Sequence, residues 1–229
     1  MGSIAIAPVL NGEILGSPVR KRRGAPEDAR YRTLLGEHAW QRLPLATRNR
    51  FSHALTRRDA EVYRGTIEET QLSGLGKVLA LCLLPFGQPL PVESCKDAIS
   101  AMVCITECSN RSAQVWTRSY CRENGFPQVI ASQKRFAGPT GLEEQVGHFF
   151  GMTLRVSEEN RALVFQSCDY FLNVFGMKLR LPRWMSPGAL RVEHRDIGNG
   201  AFEFILRLHH RYFGELLFQR AVFHDMKEG

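Results

Sequence analysis

From residue 99 onward the chain is a train of short alternating segments, and this pattern most constrains the fold. Strand-like stretches follow one another at 99–109, 113–123, 128–137, 142–156 with a break at Gly151, 161–172, 176–181, 189–196, 201–209 and 213–224. Between them stand turn-forming runs such as "SNRS", "NGFP", "AGPTG", "SEEN" and "DIGNG". Period-two alternation punctuated by Gly, Pro, Asn and Ser reads as antiparallel strands. About eight or nine of them in a row predict an α+β fold built on a strongly curved antiparallel sheet or partly open barrel.

The first part of the chain reads differently. Apolar spacing predicts helices over 28–36 and 44–55, a strand over 60–72, and a third helix over 74–87. That third helix is nearly all apolar, so it is expected to pack on the concave face of the sheet as a plug or lid. Two or three helices therefore accompany the sheet. Residues 1–26 read as a flexible basic tail, and 27–229 as one α+β ligand-cup domain.

Charge is unevenly placed. The chain carries a net +7, yet residues 18–58 hold eleven Lys/Arg against three acids, while the 171 residues after 58 balance at 19 and 19. The run Arg20–Arg23 could touch nucleic acid or anionic lipid, but short charge runs are usually solvated, so it reads as an exposed segment of the tail and nucleic acid is not the expected partner. No apolar run approaches the ~20 residues of a membrane helix, so no integral span is expected. The N-terminus shows no positive segment ahead of an apolar one, which points to a cytoplasmic protein. Six cysteines lack a CxxC pair. Cys104 and Cys108 would lie ~13 Å apart on a strand, too far to share a metal, so reduced core thiols are expected. Neither a phosphate loop, a dinucleotide fingerprint, HExxH nor GxSxG is present, and no cofactor or metal is predicted.

The stretch "WTRSY" carries the most chemistry. Trp116, Arg118 and Tyr120 share one face of a strand and small side chains take the other. With a turn near 112–113, the preceding strand would set Glu107 opposite Arg118 and Ile105 opposite Tyr120. An enclosed Glu107–Arg118 pair could then orient an anionic or carbonyl oxygen. In "LEEQVGHFF", Leu142, Glu144, Val146, His148 and Phe150 share a parity, so Glu144 and His148 are a candidate cavity acid/base pair whose carboxyl burial would raise.

Several pieces together resemble a bacterial family of unknown function whose members occur alone or fused C-terminal to saccharopine-dehydrogenase-like oxidoreductases. They are "YRTLLGEHAWQRLP", "VYRGTIEE", "LPFGQPLPVE", "WTRSY", "LEEQVG", "LRLPRWMSP" and "FGELLFQRAVF". The most specific are W-x-R, L-x-E-x-x-G and L-P-x-W-x-x-P, which single out Trp116, Arg118, Glu144, Gly147, Pro182, Trp184 and Pro187. Where the family tends to show Y-x-G near its end, this chain has Phe218, Gln219 and Arg220. The resemblance supports a fold unit and brings no assigned activity. Prolines at both ends make "LPRWMSP" a stiff segment that could press Trp184 on a cavity mouth.

The expected function is binding of a lipophilic small molecule in a β-cup, with cofactor-independent cyclisation, isomerisation or elimination in secondary metabolism. Arg118 would anchor an oxygen and Glu144 would handle protons. Glu107, Trp116, Tyr120, His148 and Trp184 would contact the ligand. The alternatives are a non-catalytic lipid or pigment carrier and a module that docks on an oxidoreductase through the basic tail.

Overall fold

In the computed structural model, the described residues are 27–225 apart from 57–58, 87–89, 96, 109–112, 123–124, 148 and 176. The basic tail and His148 lie outside them. Three short helices come first: α1 (Arg30–Leu35), α2 (Glu37–Arg42) and α3 (Leu45–Phe51). Strand β1 (Ala60–Leu72) is followed by α4 (Gly74–Cys82) and a 3-10 turn at Leu84–Phe86. Then come β2 (Ile99–Glu107), β3 (Ala113–Tyr120), β4 (Gln128–Arg135), β5 (Glu143–Val146), β6 (Phe150–Glu159) and β7 (Ala162–Val174). The chain ends with β8 (Met177–Arg180), β9 (Ala189–Gly198), β10 (Ala201–His210) and β11 (Gly214–Asp225).

Neighbouring strands are antiparallel, and β6 pairs with β7 to join the two ends of the sheet. The result is a closed barrel of ten strands with β8 as an extra one. β8 pairs only with the end of β7, on the edge whose earlier part carries β9. Closure removes the two free edges that an open ten-stranded sheet would have, and β8 alone keeps an unpaired side among the described strands. The strand count exceeds the expected eight or nine because β1 joins the ring and because the segment 142–156 forms two strands, β5 ending at Val146 and β6 starting at Phe150, with Gly151 inside β6 and not at the break.

Alternation along each strand sorts the side chains. Phe202, Phe204, Leu206 and Leu208 of β10 point inward, and Glu203, Arg207 and His209 take the outer face. The helices close the two ends of the barrel. Tyr31 of α1 and Phe51 of α3 sink into the core against Phe136 and Phe165. Arg30 bonds both carboxylate oxygens of Glu107 at 2.8 Å, and Arg50 bonds Asp196 and Asp225, so charged clamps hold these helices at that end.

α4 caps the opposite end, and here the structure corrects the expectation of a buried plug. Its Gly76 and Ala80 are buried, but Leu75, Val78 and Leu81 stand exposed. The helix rides directly on β11, where a Cβ at Gly76 would come 2.0 Å from the Leu216 carbonyl oxygen. Close backbone approach, not an all-round apolar surface, is what those residues serve. All six cysteines are free thiols, but they are not buried as expected: Cys82, Cys121 and Cys168 are exposed, and Cys95 packs half-buried against the core.

Gly65 in β1 is similarly crowded, with an added Cβ 2.0 Å from the Val222 carbonyl oxygen of β11. Gly65→Ala is therefore expected to destabilise the barrel by about 1–3 kcal/mol, read as a lower urea midpoint at unchanged slope.

Candidate functional site

Strands β3, β4 and β5 build the centre of the site. Trp116, Arg118 and Tyr120 all point into the barrel and line its interior. The hairpin register differs from the expected one by four: Arg118 stands opposite Val103 and Trp116 opposite Ile105. A shift by an even number keeps every side chain on its face. It does, however, separate Arg118 from Glu107. Glu107 is clamped by Arg30 at the α1 end and lies outside both central cavities.

Arg118 instead meets Glu144 and Ser132. Its guanidinium donates to the Ser132 hydroxyl at 2.7 Å and to Glu144 Oε1 at 3.4 Å. On β4, Lys134 pairs directly with Glu144 in the strand register, and its Nζ sits 3.1 Å from Glu144 Oε2. The same ammonium lies 4.5 Å over the Trp116 ring. Two cations thus share one carboxylate inside the barrel. Arg118 Nε is buried with no hydrogen-bond partner.

This cluster reverses the expectation for Glu144. Burial pushes its carboxyl up, but Lys134 and Arg118 together outweigh that and hold it at about 2. Held there, it serves as counter-ion to the two cations near neutral pH. Burial pushes the Lys134 ammonium down, and Arg118 adds to this while Glu144 opposes it. Lys134 is the residue that sequence reasoning missed. The signal was available in "QVIASQKR", where Lys134 shares the inward parity of Ile130 and Ser132.

Two cavities, of about 40 and 70 Å³, lie on either side of a waist made by Phe51, Trp116, Arg118, His194 and Phe204. Each has room for a few waters. The first is walled by Tyr63, Tyr120 and Phe202, and the second by Phe150, Tyr170 and Leu208. His194 is buried at the waist, its ring 4.3 Å from Phe202 and 5.0 Å from Phe51. Burial and the nearby Arg50 push its imidazolium down to about 3, so it is neutral at ordinary pH, and its Nδ1 has no partner.

Glu61 and Tyr63 line the first cavity beside His53. Burial pushes the Glu61 carboxyl up, and the Tyr63 hydroxyl bonded to it opposes this.

Trp184 is placed elsewhere. It sits in a 3-10 turn at Arg183–Met185 with 78% of its surface exposed, outside both cavities. From the same proline-flanked segment only Pro187 reaches the second cavity. The stiff backbone keeps Trp184 out because the segment bridges β8 and β9 beyond the barrel wall.

Among the described residues no group of three or more His, Cys, Asp or Glu is placed to hold a metal. No curated protein matches the chain. One family does, over residues 43–223, a span that takes in α3, every strand from β1 to β10 and all but the last two residues of β11. With most of its length matched and the whole Arg118–Lys134–Glu144 centre inside that span, the chain belongs to the family described as Domain of unknown function (DUF4166).

Proposed function

We propose that the barrel binds one slender lipophilic molecule, with an anionic or carbonyl oxygen of that molecule seated at Arg118 and Lys134. The observation that carries this reading is the buried excess of positive charge between two apolar lobes. Two cations and one carboxylate leave a net +1 where desolvation is costly, and an anion supplied by a ligand would neutralise it. The unpartnered Arg118 Nε offers a donor to that oxygen. Ten strands enclose a wider interior than the eight that just fill themselves with side chains. Phe51 belongs to a helix and not to the wall, so its withdrawal would join the two lobes for a longer ligand.

Binding of decanoate, followed by calorimetry and native mass spectrometry, tests this. A one-to-one complex is expected, with decanoate favoured over its methyl ester. Arg118→Met leaves Lys134 and Glu144 as a balanced pair, so the fold should persist. Decanoate affinity should fall about tenfold or more, the scale of a lost charge-assisted hydrogen bond. Equal affinity for acid and ester in both proteins would remove Arg118 from the reading.

A catalytic reading draws on a different place. Glu61, and not Glu144, is the carboxyl whose affinity for protons burial raises, and it lies on the first cavity with Tyr63. If the barrel performs a cofactor-independent isomerisation or elimination, Glu61 is the group suited to move the proton.

A further inference from the structure

The exposed apolar side chains are concentrated at one end of the barrel. At this end the chain turns from β3 to β4, β5 to β6, β7 to β8 and β10 to β11, and α4 lies on the start of β11. Twelve of the sixteen exposed large apolar side chains of the described residues are here. Six are aromatic: Phe126, Phe149, Phe175, Trp184, Tyr212 and Phe213. They come from four separate turns and the β8–β9 connection, so they form a ring and not a single patch. Among the described residues of the opposite end, only Leu45 and Ile197 are comparably bare.

The β7–β8 hairpin makes the ring purposeful. Met177 and Leu179 stand opposite Val174 and Leu172, on the parity that faces inward lower in the barrel. Yet Met177 is 70% exposed and Leu179 62%. The hairpin therefore rises beyond the mouth as a lip whose inner apolar face is uncovered. A monomer that stays in water seldom leaves so many large apolar groups bare around one end.

Charge indicates what covers this end. Lys77, Arg183 and Arg211 are exposed here and make no ion pair among the described residues, whereas Arg122, Arg180 and Arg207 are each held by an acid. Asp97 is an exposed acid nearby, and the three cations without an acid partner outnumber it. Aromatic rings at a rim, aliphatic side chains between them and Lys/Arg among both match the interface of an anionic bilayer. The outer wall lower down carries Arg195, Glu203 and Arg220, so the barrel would stand on its end at the surface without crossing it.

We propose that this end of the barrel docks on an anionic lipid surface. The second cavity reaches the same end through Leu83, Leu90 and Pro187. If the ligand-binding reading also holds, a lipophile could pass between bilayer and barrel without entering water. Docking itself does not depend on that reading.

Cosedimentation of the full chain with phosphatidylcholine vesicles, with and without phosphatidylglycerol, tests the proposal. Wild type should bind several-fold more to the phosphatidylglycerol vesicles, and added salt should weaken it. The double variant Phe175→Asn, Trp184→Ser should bind these vesicles at least about tenfold less, because two large apolar side chains no longer leave water on docking. Asn suits position 175, whose φ of 51° is left-handed. Both side chains are exposed, so the thermal midpoint should not move. Arg183→Glu, Arg211→Glu should remove the preference for anionic vesicles. Decanoate titration of the same samples reports the interior separately. Should wild type ignore both vesicle types, docking on lipid is overturned and the ring is left for a protein partner. Undiminished vesicle binding by the double variant would also overturn it, whatever the decanoate result.

Discussion

Glu144→Ala is expected to lower the stability of the barrel by about 3–5 kcal/mol, measured by urea unfolding at neutral pH. The carboxylate neutralises Lys134 at 3.1 Å and Arg118 at 3.4 Å in a site where all three side chains are largely shielded from water. Removing it leaves two uncompensated cations facing each other, each having lost its hydration. The cost is in the cations, not in the lost carboxylate contacts. Replacing the whole group by apolar residues, as in Arg118→Met, Lys134→Met, Glu144→Leu, should therefore recover most of the loss. The triple variant should still fail to prefer decanoate over its methyl ester. Stability would then return without binding, which separates the structural role of the carboxylate from the ligand-facing role of the cations. A neutral Glu144→Ala result would mean that water reaches the cluster, and the charge argument for a bound anion would fall with it.

Acid should unfold the protein earlier than carboxylate chemistry alone requires. His194 has an ordinary value of 6.5 in the unfolded chain and about 3 in the barrel. Between those limits the unfolded state binds the proton that the folded state refuses. Stability therefore falls as pH drops below 6.5, by ~1.4 kcal/mol for each pH unit, and the loss saturates near pH 3 at about 5 kcal/mol. Glu144, lowered from 4.5 to about 2, adds its own loss only below pH 4.5, about 3 kcal/mol in all. From pH 6.5 to 4.5 His194 therefore acts without Glu144. Burial pushes Glu61 the other way, which opposes the trend, so the difference between proteins is the readout. His194→Phe, flanked by Phe202 and Phe51, should flatten the decline of the urea midpoint across that window. A variant with the wild-type pH profile would show that His194 takes up its proton in the folded barrel.

Much of the architecture was readable in the sequence because a strand must alternate. The match is closest where alternation is clean: β1 runs over 60–72, as the pattern predicts. The same rule put Trp116, Arg118 and Tyr120 on one face, and that face is the inner one. Helix α2 was missed because it is six residues long and follows α1 after Gly36 alone. Apolar content misled at α4, where Leu75, Val78 and Leu81 are bare at the rim. Trp184 misled in the same way: a large aromatic side chain in a stiff segment suggested a pocket wall and is surface instead.

The partners within the site were not readable. Alternation says which face a side chain takes but not its height on that face, because shifting a strand by an even number of residues leaves the pattern intact. A four-residue shift moved Arg118 from Glu107 to the neighbourhood of Glu144, and gave Glu107 to Arg30 from a helix 77 positions away. The local chain settled strand, face and turn, since these follow from backbone geometry and side-chain chemistry over a few residues. Barrel closure settled which charges share the interior, and so the low proton affinity of Glu144 and the lowered one of Lys134. Those depend on distances between strands and on the exclusion of water, which arise only when the ring is complete.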